Sequence, residues 1–533
     1  MAMKQIIQFI FFLTVLVYGF GCTDSKHTYP VPAIDAKANS FISEAKPFEI
    51  RSEKYEADFG TITVPEKRSK STSHLINIPF LRIHSRSKNP REPIFCFSGG
   101  PGQKNMDWDW NGMGYLLTEH DFVAVGYRGV DGSTVLDCPE VAQAFKGNGD
   151  LLVEESMKTM GRAWSASAKR LKSQGIDLDG YTMIECIEDN EVVRSVLGYK
   201  RIDLMSGSYG TRVAYLYGLK HPESINRSVM ISVNPPGHFV WNPEKIDAQL
   251  KRYSTLWSQD SIMSLKSKDL YADMRNVMNN MPRKWLLFSI DPGKVKVVTF
   301  CLLFQRKTAA MVFNAYVAAK QGDPSGLVLM SLVYDYVVPS MFTWGDLASK
   351  GVSADFDSTR NYFLDMEPSD MPLGSPLSKL LWAPLSYDRW PIQQLPEEFR
   401  KARQSDVETL LLSGSIDFST PAEFATKELL PYLKNGKQVI LSEYGHVGDV
   451  MYLNSGNTRR MLTSFYRTGV VDTSMNTYEP MDFSVSWGFP QVAKVGLGLI
   501  AFVGIALIAV IAWLLRIYRS RKAAEIIGNA PNA

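Results

Sequence analysis

This sequence has little cysteine and little histidine: five and seven among 533 residues. Cys22, Cys96, Cys138, Cys186 and Cys301 lack the paired spacing of a zinc site, so no metal is expected, and nothing in the chain asks for a cofactor. An excess of either charge is also missing. With 58 basic and 55 acidic residues well mixed along the chain, the net charge of +3 leaves no basic stripe for a nucleic acid to follow. There is no internal repeat and no low-complexity tract, which sets aside a repeat array and bulk disorder.

What is present is a core-forming composition, 45% hydrophobic and 11% aromatic. The length exceeds one ordinary domain, and one large α/β domain with an insertion accounts for it. Both ends are unusual. After Lys4, residues 6–18 are apolar and lead to Gly19-Phe20-Gly21-Cys22, which puts small residues where a signal peptidase reads. Residues 1–21 therefore read as an export signal; lipidation at Cys22 and an uncleaved anchor stay open. Near the other end, residues 495–515 carry no charge and suffice to cross a bilayer core of roughly 30 Å as a helix. Arg516, Arg519, Arg521 and Lys522 follow, so the tail 516–533 is expected in the cytoplasm and the body outside, periplasmic or extracellular. In an oxidising compartment Cys138 and Cys186 could pair, whereas Cys96 reads as a core thiol.

Runs rich in β-branched and aromatic residues predict strands at 60–64, 76–83, 93–97, 122–127, 202–205, 228–233, 407–412 and 438–441. Apolar periodicity predicts helices at 188–197, 209–219, 422–433 and 450–465. Strands alternating with helices imply a mostly parallel sheet flanked by helices. From about 241 to 399 the pattern turns to amphipathic helical stretches, 306–320 and 327–336 among them, divided by Pro and Gly. That reads as a helical cap inserted between two parts of the core, 22–240 and 400–470. Residues 471–494 read as a tether to the membrane helix.

The strongest chemical signal is Ser206-Gly207-Ser208-Tyr209-Gly210, between a predicted strand and a predicted helix. A nucleophile on such a sharp turn has a strained backbone and needs small neighbours, here Gly207 and Gly210. Ser98-Gly99-Gly100-Pro101-Gly102 follows another strand and can present bare N–H groups. The Gly100 and Tyr209 N–H groups are the candidate oxyanion donors. Asp417 closes Ser413-Gly414-Ser415-Ile416-Asp417 past one strand, and His446 closes Glu443-Tyr444-Gly445-His446 past the next. The chain order Ser208, Asp417, His446 is that of a nucleophile, an orienting acid and a general base. His27, His74, His84, His120 and His221 sit in contexts that suit solvated side chains, and His238 remains a weak pocket-lining candidate.

Together with Gly99 to Gly102, the Ser208 turn and Gly445-His446, the stretches Tyr127-Arg128-Gly129-Val130-Asp131-Gly132-Ser133 and Asp417-Phe418-Ser419-Thr420-Pro421 carry a family likeness. From about residue 55 to about residue 465 the chain resembles the prolyl and tripeptidyl aminopeptidase family of α/β-hydrolases. The resemblance implies an α/β-hydrolase fold, a cap that limits substrate length, and release of N-terminal residues or short fragments from peptides. Ser98 departs from the histidine of the prolyl branch, and no cap acid is identified for a substrate's α-amine. Two other readings stay open: an esterase with the same three residues, and a binding protein on an inactive hydrolase fold.

Overall fold

The computed structural model describes residues 28–147 and 149–528, with 521–528 by backbone alone. The export-signal stretch, Cys22 and His27 lie outside the described residues.

The strands in chain order are β1 (Ser40–Ile50), β2 (Glu53–Pro65), β3 (Leu75–Ile83), β4 (Ile94–Phe97), β5 (Phe122–Val125), β6 (Ile202–Gly207) and β7 (Ile225–Ile231), then β8 (Lys284–Trp285), β9 (Phe288–Ser289), β10 (Glu408–Gly414) and β11 (Gly436–Leu441). Among the described residues, nine of them form one sheet in the order β1-β2-β3-β5-β4-β6-β7-β10-β11. From β5 to β11 every pairing is parallel, whereas β1, β2 and β3 add an antiparallel edge. In β4, β5 and β6 every residue is buried, because helices cover both faces of a parallel sheet. β1 is not among the expected strands. It is mostly exposed and contains Pro47, so it shows neither a clean alternation nor an apolar run.

The helices that place the site are α1 (Met183–Val196), α2 (Tyr209–Lys220), α3 (Arg306–Lys320), α4 (Ser325–Val337), α5 (Trp344–Asp355), α6 (Ser455–Thr468) and α7 (Phe489–Gly528). Two expected helices are broken. The stretch 422–433 passes from a short α turn through a π segment to a 3₁₀ turn at Leu430–Tyr432, where Pro431 cannot donate to the ladder. The stretch 450–465 divides at Asn454, whose side chain accepts from Asn457 N at 3.2 Å and caps α6.

Two further expectations are corrected. Cys138 and Cys186 are not bridged: both are buried free thiols, Cys138 with Leu136 O as its hydrogen-bond acceptor and Cys186 on the inner side of α1. His120 is not solvated. It is 2% exposed, because it packs against the Tyr466 ring with Nδ1 donating to Glu92 O at 2.8 Å.

Within residues 471–494, residues 473–478 are exposed, whereas the stretch from 479 onward is fastened to the body. Arg306 bonds the carbonyls of Glu479 and Pro480, Glu443 accepts from Met481 N at 2.6 Å and from Tyr478 Oη, and Phe483 is buried against Trp257. The strap then enters α7, whose first turns dock on α4 and the turn before it: Lys494 pairs with Asp323 at 2.6 Å, and Pro490 packs at Gly326. Over Phe489–Ser520 α7 is long and apolar enough to cross a membrane, and beyond its docked base it is exposed all round.

A buried charge cluster ties the sheet to α1. Arg128 bonds both oxygens of Asp189 at 2.7 Å and the carbonyls of Glu66 and Gly180, while Arg68 reaches Asp189 from outside at 2.7 Å. Leaving such a charge unpaired costs about 3–5 kcal/mol.

Asp203 in β6 is a different case. Its Oδ1 accepts from Asn226 at 2.9 Å, its Oδ2 is buried without a partner, and burial pushes the carboxyl up to about 8. His120, 3.8 Å away, is itself held below the ordinary imidazole range by burial, so near neutral pH the two face each other uncharged. The folded chain keeps a proton that the unfolded chain releases above about pH 4. This stabilisation is therefore complete below about pH 4 and is lost as pH rises through 8. Thermal unfolding from pH 4 to 9 should show that decline in the wild type, and Asp203→Asn, which cannot ionise, should flatten it.

Candidate active site

Parallel strands deliver their carboxyl ends to one edge of the sheet, where an open α/β sheet places its chemistry. β6 delivers Ser208. Its backbone is left-handed, φ 51° and ψ −122°, a conformation costing about 1–3 kcal/mol in a non-glycine residue. Two features hold it there: Ser208 N donates to Ile231 O of β7 at 2.9 Å, and Ser208 O accepts from Thr211 N and Oγ1 at 3.0 and 2.6 Å.

Of the two glycines flanking this turn, only Gly210 is forced by space. A Cβ there would collide with the Phe97 carbonyl oxygen, so glycine lets α2 close onto β4. At Gly207 a Cβ would make ordinary contact, 3.4 Å from the methyls of Val447. The same distance shows how near the Ser208 turn runs to the residue after His446. Ser206 is not a bystander either: its hydroxyl donates to Val229 O at 2.9 Å inside the sheet.

The glycine-rich loop after β4 lies against the serine. A Cβ on Gly99 would stand 2.7 Å from Ser208 Cβ, so that position too is closed to a side chain. Gly100 and Gly102 have φ of 86° and 83°, the left-handed region open to glycine. Among the described residues, Gly100 N makes no backbone hydrogen bond, and Tyr209 N, first in α2, has no partner within its helix. Behind the loop, Asn105 is fully buried and laces three segments: its Nδ2 donates to Cys96 O and Val125 O, and its Oδ1 accepts from Ser98 N.

β10 and β11 deliver Asp417 and His446. Gly414 makes the meeting possible, since a Cβ there would collide with the carbonyls of Tyr444 and Gly445. Ile416 N donates to Tyr444 O at 3.0 Å, which laces the two turns together. His446 Nδ1 stands 3.0 and 2.9 Å from the two Asp417 oxygens. Asp417 is fully buried and also accepts from Ser419 N at 3.0 Å, Thr420 N at 2.8 Å and Thr420 Oγ1 at 2.9 Å. An ionised carboxylate only accepts, so Nδ1 carries the proton and Nε2 is left to accept. Among the described residues no hydrogen bond joins Ser208 Oγ to the ring; such contacts often tighten only around substrate.

The segment between β7 and β10 reaches this site. His446 N donates to Phe304 O at 2.8 Å, and the Phe304 ring lies 5.3 Å from the imidazole. Gly445 N and Arg306 N share Asp449 Oδ2, each at 3.0 Å. These supports have no motif in the sequence, whereas Thr420 had one: Asp-x-Ser-Thr forms a turn in which the Asp side chain accepts the N–H groups two and three residues on. His238 is not a free pocket residue. It bonds Glu428 at 2.5 Å and stacks on Phe424 with ring centres 3.7 Å apart.

Residues 92–262 match the family described as the alpha/beta hydrolase fold. Tripeptidyl aminopeptidases of Streptomyces lividans and Streptomyces coelicolor are 26% identical over 208 residues. That match covers 35% of this chain and 37% of each relative, so the chain spans little more than a third of the relatives' length. Solved structures that align include a meta-cleavage product hydrolase of Pseudomonas fluorescens, 12% identical with a TM-score of 0.35, covering 74% of this chain and 96% of that one. An esterase of Exiguobacterium antarcticum aligns at 12% identity and a TM-score of 0.34, covering 76% and 98%.

The spacing within the Ser208 turn makes a direct prediction. Gly210→Ala should lower stability by about 3 kcal/mol, and Gly207→Ala by less than about 1 kcal/mol, in chemical denaturation. The sheet order, the serine turn between β6 and α2, and the matched stretch together give the chain an α/β-hydrolase fold.

Proposed function

We propose that this protein is a serine hydrolase that releases N-terminal residues or short N-terminal fragments from peptides, tethered to a membrane by α7. The observation that carries the reading is the bidentate approach of His446 Nδ1 to buried Asp417, at the sheet edge that also presents Ser208 on a left-handed turn.

In the proposed reaction His446 Nε2 takes the hydroxyl proton as Ser208 Oγ attacks the scissile carbonyl carbon. The carbonyl oxygen becomes an oxyanion, which the N–H groups of Gly100 and Tyr209 receive. The C–N bond then breaks, and the departing amine leaves with the proton held at Nε2. A water molecule repeats the sequence on the acyl-enzyme and frees Ser208. Asp417 stays ionised and stabilises the imidazolium.

The peptide assignment is supported by the relatives named tripeptidyl aminopeptidase. The second reading is an ester hydrolase, because the same three side chains cleave esters and amides alike. A chromogenic peptide with a free α-amine and its N-acetylated twin separate the two. An aminopeptidase cleaves the first and rejects the second; an esterase has no reason to distinguish them and should prefer an ester of the same acyl group. Under either reading Ser208→Ala should lower kcat/KM by at least about 10³-fold, and Asp417→Asn by about 10⁴-fold through loss of the correct tautomer. Activity surviving Ser208→Ala would sink the mechanism.

For the anchor, the basis is α7 itself: its charge-free stretch 495–515 is followed within the same helix by Arg516 and Arg519, which favour the cytoplasmic side. The full chain should stay in the membrane pellet after an alkaline carbonate wash, and protease added outside should reach the hydrolase body but not the tail. Release by carbonate would refute the span.

A further inference from the structure

The glycine-rich loop is anchored by a buried ion pair that the cap supplies. Gly102 lies two residues beyond the candidate oxyanion donor Gly100, and both of its backbone polar groups bond to one cap segment. Gly102 N donates to Asp346 Oδ2 at 2.9 Å, and Gly102 O accepts from Thr343 N at 2.8 Å. The packing is close on every side: a Cβ on Gly102 would stand 2.8 Å from Thr343 O, and one on Gly129 would stand 2.7 Å from Asp346 Oδ1. One turn along α5, Lys350 Nζ bonds Asp346 Oδ1 and donates to Arg128 O at 3.3 Å. Asp346 and Lys350 are both fully buried.

Stability alone does not explain this pair. Taking two charges out of water costs several kcal/mol each, and an apolar pair of the same volume is commonly as stable or more so. What a buried carboxylate adds is direction: a charge-assisted bond to an N–H is shorter and about twice as strong as a neutral one. Here the bond falls on the loop whose other end presses Gly99 against Ser208. We propose that Asp346, oriented by Lys350, is a positioning residue that holds the oxyanion loop in register with the nucleophile, so that the cap takes part in transition-state stabilisation without touching the reacting atoms. The proposal rests on the serine-hydrolase reading above.

Two double variants of the full chain test it, neither leaving an unpaired charge. Asp346→Asn with Lys350→Met keeps a weaker, neutral acceptor for Gly102 N. Asp346→Leu with Lys350→Met removes the acceptor and keeps the volume. For each, kcat and KM are measured on the free-amine peptide, and Ki is measured for a peptide boronate that mimics the tetrahedral intermediate. The Asn/Met protein should lose about five- to tenfold in kcat and the Leu/Met protein at least about 30-fold, both with KM within about threefold of wild type. The boronate should weaken in proportion to kcat/KM, which a merely structural role would not produce. A folded Leu/Met protein with kcat within threefold of wild type, or boronate affinity unchanged while kcat falls, would overturn the proposal. Should Leu/Met not fold, Asn/Met decides, and kcat within twofold of wild type would overturn it. Ser208→Ala in parallel separates the failures: turnover that does not need Ser208 defeats the serine-hydrolase reading, whereas Ser208-dependent turnover indifferent to Asp346 defeats this proposal alone.

Discussion

Parallel pairing of β4, β6, β7, β10 and β11 is the constraint on which everything else in the site depends. Because neighbouring strands run the same way, residues as far apart as Ser98, Ser208, Asp417 and His446 leave the sheet at one edge, and the connecting helices are carried elsewhere. Each exit is then shaped by a small residue. Gly210 admits α2 against β4, Gly99 admits the glycine-rich loop against Ser208, and Gly414 admits the Asp417 turn against the carbonyls of Tyr444 and Gly445. Pairing brings the loops to the same edge; glycine lets them touch.

Buried charges act on the same edge from behind. Arg128 with Asp189 fixes the segment after β5, Arg212 with Asp355 joins α2 to the end of α5, and Asp346 with Lys350 joins α5 to the glycine-rich loop. Such pairs contribute little net stability compared with apolar packing, but they tolerate few alternative arrangements. Through these contacts the segment between β7 and β10 is fastened to the site. It holds Gly102 through Thr343 and Asp346, and it holds the backbone of His446 through Phe304. The strap before α7 joins this framework through Glu443 and Arg306, which ties it to the turn that carries His446.

Much of this was legible from residue order alone. The strands of the parallel core were visible as short β-branched runs, and the serine turn was visible because a strand pattern gives way to a helix pattern at Ser208. Asp417 and His446 were legible for the same reason, each standing just past such a run. Other parts left no local trace. β1 is exposed and carries Pro47, so it has no burial pattern to betray it. Asp346 and Lys350 look like any solvated i, i+4 pair on a helix, and only the fold shows both to be buried. Gly207 and Gly210 looked equivalent, yet space requires only the second. Cys138 and Cys186 lay at plausible surface positions, but both point into the core as free thiols. Local chemistry is readable where neighbours in sequence decide it, and is lost where distant backbone closes around a side chain.

The most direct measurement is covalent. Intact-mass and peptide mapping after treatment with a fluorophosphonate should show one adduct, on Ser208, formed rapidly in the wild type and at least about 10²-fold more slowly in His446→Ala. An adduct on another residue, or labelling of Ser208 that proceeds equally fast without His446, would contradict the account.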